Sequence, residues 1–503
     1  MPNWMRRYLR SRDLRAHFWT ALALGALFRF FSAYFVYGPQ ALDDYKHGVW
    51  PAWQFWAGIP LDLPEYRSHL LVWLLSVFIE IGSWFGVSSA LGQVRAMYMG
   101  LGALSLLGIY GTYLYVRRDR DPRFGLFAPL ALYLIALFPL MPFVGTRAFG
   151  EAVALSLVVL SFGILEETRR TRSRQFLCWM VGFVILGIAT LFRFHVGLLF
   201  FSYVGVLLVL HQWRGIAGAA VAGGLTLAAQ AAVDIGSGKQ AFETLRVYLA
   251  ENAGGGAKYG VSPWYNPWLF VLGIALAPFA FVLFGHLRGL WRRRWPVLVP
   301  FLVFVAAHSV AAHKEERFLY PIIGLELWAV ADLWACAALS RWARRIYAPV
   351  ALFVGVLGLV VVSFVNTQEG EIEPPAYVES TYDSVVYLDY ESLFGRSRFQ
   401  FYFLRPPSVL EKMDDPGDFQ AHRVDEALLS HPDHHAAVLL TSDPTAYVEL
   451  RALEGVQTLA GRCLRVREAG SLIDRLLYKM NPKHNQRRRP TWYLVCERNS
   501  HAP

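Results

Sequence analysis

Residues 313–321, HKEERFLYP, place five ionisable side chains in a row between two apolar runs, residues 297–312 and 318–337. Both runs are long enough to enter a bilayer, which a helix crosses with about 20 mostly apolar residues. Charged groups are costly at membrane depth, so this cluster is expected at the water boundary or in a cavity. A solvated loop is one interpretation. The alternative is that His313, Lys314 and Arg317 form a compact cationic group that binds a lipid-linked phosphate.

The composition is that of a polytopic membrane protein. Of 503 residues, 55% are hydrophobic and 17% are charged, and the mean hydropathy is +0.34. A soluble domain carries about 25% charged residues. Four cysteines exclude a disulfide-rich scaffold. Cys463 and Cys496 would pair if the polar tail that holds them lies outside the cytoplasm, and two free thiols are the alternative.

Twelve apolar segments alternate with clusters of arginine between residues 17 and 365. The positive-inside rule places these clusters in the cytoplasm. They are Arg117 with Arg118, residues 169–174, residues 292–294, and Arg341 with Arg344 and Arg345. Counting crossings then places four segments on the opposite side: 38–69, 144–150, 233–267 and 313–317. The basic start, residues 1–16, precedes an apolar segment too long for a signal peptide and is expected in the cytoplasm.

One apolar segment, residues 70–87, does not fit this alternation. Only one crossing is allowed between the loop 38–69 and Arg117, yet two apolar segments lie there. Residues 70–87 are the shorter of the two and contain Glu80, Gly82 and Gly86. We therefore expect this segment to lie in the interface or to be re-entrant, which leaves eleven crossings. If it does span, either Arg117 falls outside or another segment does not cross.

The chain changes character at Asn366. Residues 366–503 contain no further spanning run, and an odd number of crossings places them outside the cytoplasm. Residues 436–441 and 492–496 predict short buried strands and residues 424–429 part of a helix, so a small α/β domain is expected. It has no nucleotide-binding glycine pattern, and no catalysis is assigned to it. Its basic residues 483–489 predict a soluble tail, with contact to anionic lipid heads as the alternative.

The first outside loop, residues 38–69, carries the adjacent carboxylates Asp43 and Asp44, followed by four aromatic residues between positions 50 and 56. Carboxylates just past a membrane helix are well placed for a general base at the water boundary. The alternative is that Asp43 caps an interfacial aromatic helix. The residues alone leave these two interpretations equal.

Five stretches, in order along the chain, resemble the motifs of glycosyltransferase family 22. Its members are membrane mannosyltransferases of the GT-C class, which use dolichyl-phosphate-mannose to build N-glycan precursors and GPI anchors. Residues 313–321 match its HKExRFxxP signature. Asp43 and Asp44 stand where the family carries Asp-Glu, but the preceding His-Pro pair is Ala41-Leu42 here. The resemblance favours a general base in this loop. It leaves open which aspartate is the base, and Asp43 is preferred.

The other matches supply candidate binding residues. Later in the stretch that carries Asp43 and Asp44, residues Glu65, Arg67 and Ser68 match a Glu-Trp-x-x-Arg-Ser element. Arg147 and Glu151 match an Arg-Thr-x-x-Asn-x-x-Glu element. They are four residues apart, so on a helix they would share one face and could pair. The alternative is that this ion pair only holds the end of a helix.

Two further matches lie in the later loops. Arg193 stands at an Arg-Pro-Thr position, with Phe194 in place of proline, and either snorkels or binds phosphate. Asp234 opens a polar loop that runs to residues 259–265 and resembles an Asp-Ser…Tyr-Gly-x-x-Pro-Trp-x-Tyr loop. The glycines at 254–256 would permit gating, or mark disorder.

The resemblance implies an all-α polytopic GT-C fold and transfer of a sugar, expected to be mannose, from a polyprenyl-phosphate donor to a lipid-linked or glycan acceptor with inversion. Asp43 would take the acceptor proton, and His313, Lys314 and Arg317 with Arg193 would hold the donor phosphate. The other residues assigned to substrate binding are Glu65, Arg67, Arg147, Glu151, Asp234 and Glu316. No cofactor, metal or nucleic acid is expected, since no metal-ligand signature stands out.

Two other functions remain compatible with the sequence. A transporter or flippase for lipid-linked sugars would use the same cationic cavity but would need no aspartate at the outer face. An enzyme of the same fold with a protein acceptor is the second. The lost His-Pro pair and the Arg-Phe element suggest a divergent member, with undecaprenyl phosphate as carrier in a bacterial inner membrane. A eukaryotic member would lie in the ER membrane.

Overall fold

A computed structural model of the chain describes residues 13–499 except 39–43, 62, 119–125, 172–174, 255–259, 275–283, 337–340, 367–368, 391–408, 414–418, 483–484 and 486–487. The chain forms two compact units. The first consists of Met1–Ala33, Asp62–Leu74 and Tyr98–Ser363, and the second of Tyr34–Leu61, Leu75–Met97 and Phe364–Pro503. One division between the units falls between Ser363 and Phe364, and the domain bounds expected from the sequence stay predictions. The second unit also includes two earlier segments that the sequence assigned to the membrane domain.

Helices account for nearly all the described structure before residue 382. In chain order they are α1 (Leu14–Phe35), α2 (Trp50–Trp56), α3 (Leu70–Trp84), α4 (Ala90–Ser105), α5 (Leu107–Val116), α6 (Phe127–Leu137), α7 (Leu140–Val144), α8 (Gly150–Arg170), α9 (Phe176–Phe192), α10 (Gly197–Val209), α11 (Trp213–Gly236), α12 (Glu243–Gly254), α13 (Asn266–Ile274), α14 (Leu287–Val310), α15 (Ile323–Cys336), α16 (Arg341–Phe364) and α17 (Glu369–Thr381). A π-helix, Tyr45–Val49, precedes α2, and 3₁₀ turns occupy Phe194–Val196, Phe284–His286 and Glu316–Ile322.

Four helices among the described residues are long and apolar enough to cross a membrane: Leu14–Phe35, Ala90–Val116, Trp213–Gly236 and Glu316–Ala335. Five shorter apolar helices accompany them: Leu70–Trp84, Phe127–Leu137, Phe176–Phe192, Phe194–Val209 and Pro349–Phe364. The helix α3 has 15 residues, a length of about 22 Å, which is shorter than the hydrocarbon core of about 30 Å. Helix α6, which is expected to cross, has only 11 residues, so length does not decide whether α3 crosses. The interfacial or re-entrant position of residues 70–87 and the count of eleven crossings stay predictions.

Helices α5 and α8 touch through their backbones. A Cβ added at Gly111 in α5 would lie 2.5 Å from Leu160 Cα, and one added at Gly163 in α8 would overlap the carbonyl of Gly111. Only glycine allows so close an approach. This contact fixes α8, whose first turn carries Glu151.

A buried arginine secures the chain just before α8. Arg29 in α1 is 2% exposed and donates hydrogen bonds to the carbonyls of Ile135 (3.3 Å) and Ala136 (3.0 Å) at the end of α6. Those carbonyls belong to the last turn of a helix, where the helix itself supplies no donor. Arg29 Nε also donates to Ser105 Oγ (2.5 Å). The helix break that leads into α7 and α8 is thereby held in place.

In the second unit, residues from 385 onward form a six-stranded mixed sheet of order β2-β1-β3-β6-β4, with β5 also paired to β6. The strands are β1 (Val385–Tyr390), β2 (Val409–Met413), β3 (Ala436–Thr441), β4 (Gly461–Cys463), β5 (Arg467–Ala469) and β6 (Thr491–Arg498), and the helices are α18 (Ala421–Ser430), α19 (Pro444–Ala452) and α20 (Leu472–Met480). Strands β1, β2 and β3 are parallel, and β6 is antiparallel to its neighbours. Both predicted strands and the predicted helix at 424–429 are confirmed.

Cys463 and Cys496 are joined by a disulfide. They face each other across the antiparallel pair of β4 and β6, and both are buried. The sequence left open a disulfide or two free thiols, and the structure contains the disulfide. Among the described residues Cys178 is a free thiol.

Candidate functional site

A buried ion pair lies where α8 begins and α9 ends in the first unit. Glu151 is fully buried in the first turn of α8, and its Oε2 is 2.6 Å from Arg193 Nη2. Arg193 follows the last residue of α9 in an extended conformation. A Cβ at Gly150 would lie 2.6 Å from Phe192 O and 3.1 Å from Arg193 Nε. The missing side chain at Gly150 therefore lets the two helix ends meet.

The prediction that Arg147 and Glu151 share one helix face was wrong. Helix α8 begins at Gly150 with Phe149 as its N-cap, so Arg147 lies in the turn before it and helical spacing does not apply. Arg147 is fully buried, and its guanidinium lies 4.8 Å from the ring centres of both Tyr98 and Phe143. Aromatic faces stabilise a buried cation in this way.

Two further arginines act electrostatically on Arg193, namely Arg67 and Arg317. We call Arg67, Arg193 and Arg317 the arginine cluster. Tyr248 of α12 interacts electrostatically with Arg193, Glu151 and Arg67. Its ring lies 5.1 Å from that of Phe194. Burial raises the pKa of the Tyr248 phenol, so it stays a neutral hydrogen-bond donor. Guanidinium forks match the geometry of a phosphate, so the arginine cluster is suited to hold one.

Within residues 313–321, Glu315 joins two of the predicted cations. Its Oε1 lies 2.9 Å from His313 Nε2 and its Oε2 lies 2.6 Å from Arg317 Nε. Arg317 Nη2 also donates to Oε1 at 3.1 Å. Glu315 was not among the predicted site residues, although it stands two residues from each partner. Glu316, which was included, is exposed at the start of the 3₁₀ turn.

Lys314 contacts the polar loop that precedes α13. Its Nζ donates to Ser262 O at 2.8 Å. The N–H of Ser262 donates to Ala312 O at 3.1 Å, and Ser262 Oγ donates to Lys314 O at 3.4 Å. The motif at 313–321 and the polar loop that Asp234 opens are therefore in contact. A role for Lys314 in binding phosphate stays a prediction.

Asp234 lies at a hydrogen-bonded junction rather than at the surface. It is 1% exposed, and its Oδ1 accepts from Gln230 Nε2 (3.0 Å) and Thr244 Oγ1 (2.6 Å). Lys239 Nζ donates to Thr244 Oγ1 (3.3 Å) and to the carbonyl of Arg67 (3.3 Å). It also donates to the carbonyl of Glu65 at 2.8 Å. We call this set the Asp234–Lys239 junction. It ties the turn that carries Arg67 to α12, which carries Tyr248.

Lys239, which the sequence analysis did not select, is therefore expected to position Arg67. Lys239→Met should raise the KM for a phosphate-linked donor about tenfold, equivalent to about 1.4 kcal/mol, because the turn at 65–67 loses its charge-assisted hydrogen bonds. The kcat should stay within about twofold, since no group that reacts is removed. Steady-state kinetics would measure both.

Two matched variants give that measurement its controls. Lys239→Arg keeps donors for the same carbonyls and should restore most of the affinity. Arg246→Met removes an exposed cation from α12 and should leave KM unchanged. If Arg246→Met raises KM as much as Lys239→Met does, the effect is one of overall charge and the positioning role is wrong.

The first outside loop divides between the two units. Asp44 belongs to the second unit, is fully buried and occupies the N-cap position of the π-helix Tyr45–Val49 without a side-chain capping bond. Asp43, the preferred base, lies outside the described residues, as does Tyr259 of the later polar loop. Of the glycine run, 255 and 256 also lie outside them. The assignment of the base therefore stays a prediction.

Comparison with known proteins supplies a family. The model of the Alg9-like mannosyltransferase family matches residues 64–377. The alpha-1,2-mannosyltransferase ALG9 of Saccharomyces cerevisiae is 39% identical over 70 residues, which is 13% of this chain and 12% of that protein. GPI mannosyltransferase 3 of Drosophila melanogaster is 32% identical over 114 residues, 21% of this chain and 18% of that protein. The matched stretches span less than a fifth of either relative. The resemblance inferred from the sequence is confirmed.

A solved membrane-protein fold matches the chain over nearly its whole length. The crystal structure of ArnT from Cupriavidus metallidurans bound to undecaprenyl phosphate has a TM-score of 0.56 at 12% identity, covering 95% of this chain and 97% of that chain. The apo state of the same protein gives 0.56 at 14% identity. At such identity the likeness shows the fold alone. The chain therefore shares the fold of ArnT, and the mostly helical structure expected from the sequence is borne out.

Proposed function

Because the chain belongs to the Alg9-like mannosyltransferase family, we propose that it transfers a sugar, with mannose the first candidate, from a polyprenyl-phosphate donor to a lipid-linked or glycan acceptor, inverting the anomeric carbon. The observation that carries the proposal is the arginine cluster around the buried carboxylate of Glu151. Arg193 is paired with Glu151 and Arg317 with Glu315, so three guanidiniums face two carboxylates and one positive charge remains in excess. That excess suits the phosphate of a lipid-linked donor.

In the proposed reaction the acceptor hydroxyl attacks the anomeric carbon from the face opposite the phosphate. A C–O glycosidic bond forms, the bond between the anomeric carbon and the phosphate oxygen breaks, and the hydroxyl proton passes to Asp43. The carrier phosphate leaves with the bonding electron pair. The arginine cluster stabilises the charge that develops on it, as preorganised donors do in a site shielded from water. Binding both substrates in one cavity supplies their mutual orientation.

The arginine cluster also supports a proposal for the carrier lipid. ArnT, which shares the fold, was solved with undecaprenyl phosphate bound, and a polyprenyl phosphate presents the group that the arginine cluster would bind. Undecaprenyl phosphate is therefore the first carrier to test and dolichyl phosphate the second. A bacterial inner membrane and an ER membrane are the corresponding locations.

The test is sugar transfer by the purified, reconstituted protein. Polyprenyl-phosphate-mannose with a labelled sugar would be offered with lipid-linked, glycan and peptide acceptors, and the anomeric configuration of the product read by NMR. An inverted product on a lipid-linked or glycan acceptor supports the proposal. Transfer to peptide alone would favour the protein-acceptor alternative. Donor movement across vesicles without transfer to any acceptor would overturn it in favour of a transporter.

The proposed orientation places the N-terminus in the cytoplasm and the C-terminal domain outside it, after eleven crossings. A disulfide between Cys463 and Cys496 supports this placement, because disulfides persist in oxidising compartments and are rare in the cytosol.

The disulfide yields a direct prediction. A maleimide-polyethylene glycol reagent should add two more labels to the denatured protein from native membranes after reduction than before it. Cys463→Ser with Cys496→Ser should cost the C-terminal domain about 2–5 kcal/mol of stability. Cys178→Ser, at a free thiol, is the matched control and should cost little. Equal labelling before and after reduction would contradict both the disulfide and the proposed orientation.

A further inference from the structure

Helix α20 of the second unit turns an apolar stripe outward. Leu472, Leu476 and Met480 are 73%, 52% and 79% exposed. Residues four apart lie one above another on a helix, so the three side chains form a single stripe. In a helix that packs on its own domain, such a stripe faces the core and polar residues face water. In α20 the stripe of Leu472, Leu476 and Met480 is exposed instead.

The inward side of α20 is polar and firmly held. Asp474 is 1% exposed and accepts from Ser471 Oγ (2.9 Å) and from the N–H of Glu369 (3.1 Å). Arg488 Nη1 donates to its other oxygen at 2.8 Å. The Ser471 side chain also caps the helix. The outward stripe is thus a fixed feature of a well-anchored helix.

These contacts place α20 close to the ends of two apolar helices. Glu369 follows Phe364, the last residue of α16, by five positions, a span of at most about 17 Å. In the same connection Asn366 Oδ1 accepts the N–H of Tyr37 at 2.9 Å, two residues after α1 ends at Phe35. The rings of Phe35 and Phe364 lie 5.3 Å apart. Phe35 and Phe364 are the last residues of apolar helices and belong to the same unit as α20, so a bilayer surface is expected near these two residues.

Cations border the stripe. Arg475 and Lys479 are exposed, and each stands three residues after one of the two leucines, so they follow one edge of the stripe. Arg475 is in a surface ion pair with Glu468 (3.1 Å). An apolar stripe edged by lysine and arginine is the pattern of a helix that lies in the headgroup layer of an anionic membrane.

We propose that α20 is a membrane-surface helix that docks the C-terminal domain on anionic phospholipid. Leu472, Leu476 and Met480 insert between the acyl chains just below the headgroups, while Arg475 and Lys479 meet the lipid phosphates. The apolar stripe sets how deeply the helix inserts into the bilayer, and the cations make it prefer anionic lipid. The proposal does not depend on which sugar or acceptor the chain uses.

The test uses the full-length protein in lipid nanodiscs with Cys178 and Cys336 replaced by serine. Leu476→Cys carries an environment-sensitive fluorophore. The matched control is Leu459→Cys, an 83% exposed leucine next to β4. Strand β4 pairs with the end of β6, whereas β5, which leads into α20, pairs with its start. The first and last of the eight residues of β6 lie about 23 Å apart, so the two labels are carried toward opposite ends of this strand.

Quenching by lipids brominated in the acyl chain is the readout. We expect about threefold stronger quenching at position 476 than at 459, increasing when a third of the phosphatidylcholine is replaced by phosphatidylglycerol. Arg475→Gln with Lys479→Gln should abolish that increase. Equal quenching at both positions would overturn the proposal. Equal quenching at 476 in neutral and anionic discs would overturn the anionic preference. An unquenched 476 label that crosslinks to another protein in native membranes would assign the stripe to a protein partner instead.

Discussion

Replacing Asp43 by asparagine is expected to lower kcat by about 10²- to 10⁴-fold, the usual contribution of a general base. The affinity for the donor should change by less than about twofold, because the donor phosphate is assigned to the arginine cluster and not to Asp43. Single-turnover transfer from polyprenyl-phosphate-mannose, together with equilibrium donor binding, measures the two effects separately.

Asp44→Asn is the matched variant, since it removes the same charge from the adjacent position. Asp44 is fully buried beside the π-helix, and a base must reach the acceptor hydroxyl, so its replacement should lower the stability more than kcat. If Asp44→Asn alone loses turnover, the two roles are reversed. If both variants keep full activity, neither Asp43 nor Asp44 is the base.

The second large effect is expected at the buried pair of Glu151 and Arg193. Arg193 lies 2.6 Å from the buried carboxylate of Glu151. Arg193→Met removes this partner and leaves a buried charge, which should destabilise the first unit by about 3–5 kcal/mol. Donor binding should be lost as well, because the arginine cluster loses its central member. Thermal unfolding in detergent and donor binding would be measured in parallel.

A double variant separates these two consequences. Arg193→Met with Glu151→Leu removes both charges, and replacing a buried ion pair by apolar side chains is often neutral for stability. It should therefore recover most of the lost stability but none of the donor binding. Arg118→Gln, at an exposed arginine 3.5 Å from Glu167, is the control and should cost no more than about 1 kcal/mol. Recovery of donor binding in the double variant would show that Arg193 serves the fold alone.

The sequence indicated the class of fold because apolar length and arginine placement are local properties of the chain. It also located the strands at 436–441 and 492–496, whose apolar runs are short and bounded by turns. It could not place the start of α8. Helical spacing suggested that Arg147 pairs with Glu151, but the helix begins at Gly150, and a helix start is decided by the packing of Gly150 against Phe192.

The parts of the site that the sequence missed depend on tertiary contacts. Lys239 acts on the backbone of Glu65 and Arg67 across more than 170 positions, and no periodicity records such a contact. Glu315 is different, because it stands inside the quoted motif. Its position between His313 and Arg317 was a readable signal that a carboxylate would join them.

The backbone contact between Gly111 and Gly163 has a consequence for how the protein is made. Lipid tails are as apolar as leucine side chains, so inserted helices gain little from hiding apolar surface from lipid and must recognise each other by shape. The two glycines let the backbones of α5 and α8 touch at one place. The helices can therefore pack this closely in only one register. Biogenesis of the first unit would thus include a docking event after membrane insertion, and a bulky residue at either position would yield a chain that is inserted yet unassembled.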